Sequence, residues 1–95
     1  MKVTATRVIE TCLDGTMNVE KTVDRAMDRK FIYHLAILGD FEYFPQFSRP
    51  FFRITRPGSF ILKGVEGADT FQVFIIRNPP DVEREIENTV RRFTS

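Results

Sequence analysis

Apolar residues along this chain fall into short runs of differing period, and each period predicts an element. Val3 to Ile9 is rich in β-branched residues and alternates roughly, which predicts an N-terminal strand ending near the turn signal Asp14-Gly15. Val19, Val23, Ala26 and Met27 recur at i, i+4, i+7 and i+8, one helical face, so the spacing predicts a helix over 18–30 with Thr16 or Asn18 as its N-cap. Phe31 to Leu38 is apolar at both parities and bounded by Gly39-Asp40, the pattern of a central strand. Pro57-Gly58 suits the centre of a type II turn and predicts that Phe51–Arg56 pairs with Ser59–Val65. With a two-residue loop, Ile54 would face Ile61, and Phe60 and Leu62 would share the opposite side with Arg53 and Thr55. Thr70 to Arg77 reads as a further strand.

The last element carries the clearest signals. Asn78 is a good N-cap, Pro79 and Pro80 fit a first turn whose N–H groups lack partners, and Val82, Ile86, Val90 and Phe93 share one face. Asp81, Glu83, Glu85 and Glu87 come early and Arg91 and Arg92 late, which complements the helix dipole. The predicted order is β-α-β-β-β-β-α, an α+β fold in which two helices cover one face of a mostly antiparallel meander as a two-layer α/β sandwich. Such a layout leaves apolar surface over, because neither face of strands 31–38 and 70–77 is plainly wet. The far face then needs a folded-over loop, a second copy of the chain or another protein.

The chain has 95 residues, enough for a single domain over 1–95 that folds without disulfides. Fourteen Lys and Arg against 13 Asp and Glu leave a net charge of +1, so no bulk field draws the chain to nucleic acid or an anionic membrane. One cysteine, Cys12, excludes an internal disulfide, and Met1 to Arg7 holds no apolar run resembling a signal peptide, so a reducing cytoplasm is expected. The longest apolar run is too short to span a membrane.

Six of the ten phenylalanines lie between Phe41 and Phe60. Pro45 and Pro50 forbid a helix through that segment, so its rings must be buried by something. The leading reading is a non-enzymatic interaction domain that homodimerises or binds a protein partner through Phe41, Tyr43, Phe44, Phe47, Phe51 and Phe52. A second reading is a calcium site. If 31–38 is a strand, Asp40, Glu42, Glu66 and Asp69 gather at one end of the sheet, with Arg29, Lys30, Arg56 and Arg77 at the other, and Ca²⁺ takes six to eight oxygen ligands of that kind. No EF-hand spacing is present. A third reading is a small-ligand binder or enzyme with an aromatic pocket, for which no convincing acid, base or nucleophile stands out.

Other constellations have plainer explanations. Cys12 and His34 are unique, but a mid-strand His between apolar neighbours and a lone Cys read as core residues rather than a catalytic pair. Glu20, Asp24 and Asp28 beside Lys21, Arg25 and Arg29 read as a solvated helix face. Arg49, Arg53, Arg56 and Lys63 among aromatics suggest base stacking, but nucleic-acid binding is disfavoured by the balanced charge and the lack of an RNP-type motif. The same mixture is enriched at protein interfaces.

The order of elements, the apolar run ending in Gly39-Asp40-Phe41-Glu42 and the Pro57-Gly58 hairpin resemble a family of small uncharacterised α+β proteins of methanogenic archaea. The resemblance implies a cytoplasmic archaeal protein with an acidic surface pocket proposed to bind a cation. That pocket has consecutive acids and then serines on a neighbouring loop, whereas here Phe41 separates Asp40 from Glu42, and Ser59 lies beside Pro57-Gly58.

Overall fold

The computed structural model describes residues 1–94. Six strands form one antiparallel sheet: β1 (Val3–Thr11), β2 (Met17–Val23), β3 (Asp40–Phe44), β4 (Phe51–Arg56), β5 (Phe60–Val65) and β6 (Thr70–Ile75). Two helices, α1 (Arg29–Leu35) and α2 (Pro79–Arg91), complete an α+β fold, and a 3₁₀ turn over Ala36–Leu38 joins α1 to β3. The spatial order is β1-β2-β6-β5-β4-β3, so the hairpin β1–β2 joins the meander β3–β6 along the β2–β6 boundary.

Two predicted elements exchange type, and Asp40–Phe44, expected as part of an aromatic loop, forms a further strand, β3, so the order is β-β-α-β-β-β-β-α. The segment expected as a helix from 18 is strand β2, in which Val19, Lys21 and Val23 alternate inward and are all buried. The run expected as a strand over 31–38 is helical, with Phe31, Ile32, Leu35 and Leu38 buried at helical spacing while Tyr33 and Ile37 stay exposed. Asp28 starts α1: its side chain accepts a 2.9 Å hydrogen bond from the Phe31 backbone N–H.

The β4–β5 register also shifts by one residue. Ser59 N–H donates to Arg56 O across a four-residue turn, with Gly58 at a φ of 75° where a type II turn needs it. The pairing then runs Arg56 with Phe60 and Ile54 with Leu62, which sends Phe52, Ile54, Phe60 and Leu62 to one face. Met17, Val19, Phe71, Val73 and Ile75 join that face through the β2–β6 and β5–β6 registers. Residues of both helices, with Phe93, enter the same buried cluster.

The opposite face is polar across its middle. Arg7, Glu20, Gln72, Lys63, Arg53 and Glu42 follow one another through the registers of all six strands. The apolar surplus expected for a far face is thus largely absent, because the eight residues of 31–38 lie in no strand. What remains apolar there falls in two places, Phe44 and Phe51 on β3 and β4 and the register pair Ile61 and Phe74 on β5 and β6.

Candidate interaction surface

The free edge β3 brings aromatic residues to both faces of the sheet. On the polar face Phe44 pairs in register with Phe51, their ring centres 5.6 Å apart. Phe47, from the connection 45–50, is 56% exposed beside them. Phe44, Phe47, Phe51, Gln46 and Arg53 line an open depression of about 550 Å³. Arg53 frames it from below: its guanidinium lies 5.8 Å from the Phe44 ring centre and donates through Nε (2.9 Å) to Glu42 Oε1, with Nη2 at 2.8 Å from the same oxygen. A smaller depression of about 290 Å³ shares Phe51 and continues along Lys63, Gly64, Val65, Ala68, Thr70 and Gln72.

The helical face of β3 carries a second aromatic group. Phe41 and Tyr43 are half-buried against the core, and Tyr33 of α1, half-exposed, lies 5.5 Å and 5.8 Å from them between ring centres. Tyr43 Oη donates to Glu66 Oε1 at 2.6 Å, and Arg29 lies 5.7 Å from the Tyr43 ring centre and 3.6 Å from Glu66 Oε1. The bond to Glu66, followed by loss of water, pushes the Tyr43 hydroxyl above its ordinary pKa. The Arg29–Glu66 contact also joins two residues that the sequence places at opposite ends of the sheet.

The six residues expected to form one aromatic contact surface therefore separate. Phe44, Phe47 and Phe51 meet on the polar face; Phe41 and Tyr43 lie on the helical face; Phe52 is fully buried in the core. Phe52 fills the space that Gly64 leaves empty, since a Cβ at position 64 would sit 2.9 Å from its ring.

The four acids expected around a cation are not gathered either. Asp40 and Glu42 stand on the polar face of β3, Glu66 is bonded to Tyr43 on the other side, and Asp69 is exposed just before β6. Among the described residues no three His, Cys, Asp or Glu side chains come together in a way that would hold a metal ion. Their expected convergence depended on 31–38 being a strand. The basic residues near the aromatics also disperse: Arg53 faces Glu42, while Arg56 donates to Leu38 O at 2.9 Å and to Glu85 Oε2 at 2.6 Å.

Cys12 and His34 have separate partners. The Cys12 thiol donates to Glu10 at 3.1 Å, and His34 Nε2 donates to the Thr89 carbonyl at 2.6 Å, which ties α1 to α2. A carbonyl only accepts, so that nitrogen carries the proton.

Lys21, expected on a solvated helix face, instead lies in strand β2 and points into the interior. Lys21, 1% exposed on the helical face, donates to Thr6 Oγ1 at 3.0 Å, Glu83 Oε1 at 2.6 Å and Glu87 Oε2 at 2.9 Å, so an ammonium holds α2 over β1 and β2. The available signal was parity: Lys21 shares it with Val19 and Val23. No family model, curated protein or solved structure matches the chain. No helix among the described residues is long and apolar enough to cross a membrane.

Proposed function

We propose that this domain is a non-catalytic protein-interaction module whose contact surface surrounds β3. The observation that carries this reading is the depression of about 550 Å³ walled by Phe44, Phe47 and Phe51 and bounded by the Arg53–Glu42 pair. Accessible rings in a concave site with an arginine at the rim, here Phe47 exposed and Phe44 and Phe51 half-buried, are what protein contacts enrich, and covering them removes apolar surface from water. The polar row Arg7, Glu20, Gln72, Lys63, Arg53 and Glu42 separates this corner from the smaller apolar pair Ile61 and Phe74.

Sedimentation equilibrium of the full chain, with mass spectrometry of proteins retained on the immobilised domain, tests this for wild type and Phe44→Ser plus Phe47→Ser. Loss of self-association or of a retained partner in the double variant, with an unchanged circular dichroism spectrum, supports the module. A mass distribution and a retained set both unaltered by the substitutions refute it.

A further inference from the structure

Among the described residues both sheet edges, β1 and β3, lack a neighbouring strand, but they differ in how they meet a newcomer. In β1 the pairing with β2 shifts between Val3 and Ala5 and again between Val8 and Glu10, and such irregularities twist an edge away from further pairing. In β3 the register is unbroken from Asp40 to Phe44. Among the described residues, no backbone hydrogen bond outside the strands and helices involves residues 40–44. The edge is therefore regular and unprotected, and aromatic residues flank it on both faces.

The side chains of β3 select what can join it. On the helical face Phe41 and Tyr43, with Tyr33 above them, call for apolar side chains in an added strand. On the polar face stand Asp40 and Glu42, both exposed. Asp40 has no ion pair among the described residues, and both Arg53 contacts to Glu42 use Oε1, which leaves Oε2 for a second cation. A second copy fits poorly. A two-fold axis normal to the sheet pairs residues of the same face. Centred on Glu42, it sets that carboxylate against its own copy. Centred on Phe41, it sets Asp40 against the other Glu42, and centred on Tyr43 it leaves only residues 42–44 overlapping. Like charges directly opposite are destabilising.

Resting on the interaction-module reading, we propose that β3 is a strand-addition site and that the strand it accepts alternates basic with apolar residues. Main-chain hydrogen bonds to β3 would supply affinity. Lysine or arginine facing Asp40 and Glu42, with apolar groups facing Phe41, Tyr43 and Tyr33, would supply selectivity.

The test is an NMR titration of the ¹⁵N-labelled full chain at low salt with a synthetic octapeptide alternating lysine and valine. Two control peptides alternate glutamate and valine, or carry N-methyl groups on every second amide of the lysine peptide. The expected result is saturable shifts centred on the amides of 40–44 with the lysine peptide and with neither control. Asp40→Asn should weaken that binding about two- to fivefold, the size of one exposed cross-strand ion pair. The proposal is overturned if the lysine and glutamate peptides act alike, if N-methylation has no effect, or if the shifts fall on 3–11 or do not saturate. Sedimentation of the free chain as a dimer with perturbations centred on 40–44 would make the occupant a second copy and also overturn it. The Phe44→Ser plus Phe47→Ser comparison reads the apolar corner with no peptide present, so either idea can fail while the other stands.

Discussion

Replacing Lys21 by Met keeps the buried stem and removes the ammonium that Glu83, Glu87 and Thr6 surround. Removing one partner of a buried ion pair costs about 3–5 kcal/mol, chiefly because a desolvated charge is left behind. Here the carboxylates left behind are 27% and 37% exposed and can recover water, which places the expected loss near the bottom of that range, about 3 kcal/mol. For a domain of this size that loss lowers Tm by roughly 12–24 °C. Thermal and urea denaturation followed by circular dichroism measure it, with Lys21→Met plus Glu83→Met and Glu87→Met as the second variant. That triple change replaces the whole charged group by apolar side chains and should regain most of the loss. A Lys21→Met protein within about 0.5 kcal/mol of wild type, the scatter of an ordinary surface substitution, would show that the lysine does not hold α2 in place.

The hydrogen bond from Arg56 holds the Glu85 carboxyl below the usual glutamate range, against the opposing effect of burial. Its stabilising contribution is thus complete above the unfolded-state value of about 4.3 and is lost as pH falls through the lower folded-state value. Glu85→Gln should accordingly melt below wild type at pH 7, with the gap closing in strong acid; a gap constant down to pH 2 would contradict the assignment. Phe52→Ala, in the core, should cost about 3–5 kcal/mol in urea unfolding, whereas Phe47→Ser, at an exposed ring, should stay within about 0.5 kcal/mol. A comparable cost for both would mean that the 45–50 connection is part of the core. Gly39→Ala should lose about 1–3 kcal/mol by overpacking, because an added Cβ would lie 2.6 Å from the Thr55 backbone oxygen. Equal urea midpoints for that variant and wild type would show that β4 yields.

The C-terminal helix was legible because several independent signals agree there: two prolines, an apolar stripe and ordered charges. Even so, Asn78 works through its backbone, since its carbonyl accepts from Asp81 and Val82 while its side chain caps nothing. In the first half, one residue hid β2. Lys21 occupies a core position, so inward alternation read as apolar, polar, apolar at the wrong spacing, and Val19, Val23 and Met27 formed a helical stripe by coincidence. The true helix was hidden by Tyr33 and Ile37, whose exposed aromatic and aliphatic groups made 31–38 look apolar on every side. That single exchange moved the acidic residues apart and changed what the sheet needs covered. Phe44, Phe47 and Phe51 still meet, but through a hairpin that local pattern did not reveal: β3, expected as a loop, pairs with β4 and sets Phe44 opposite Phe51, with Phe47 in the connection between them.

The boundary between β2 and β6 joins residues 17–22 to residues 70–75, whereas every other strand pair links immediate neighbours in the chain. Loop closure favours the local pairs first, so the meander should assemble early and the β1–β2 hairpin should dock late. The same boundary is where partial opening should begin. Such an opening would bare the edge of β6, whose Phe71, Val73 and Ile75 are otherwise buried. By tying β2 to α2, the helix that follows β6, Lys21 should oppose that opening and keep the β6 edge paired.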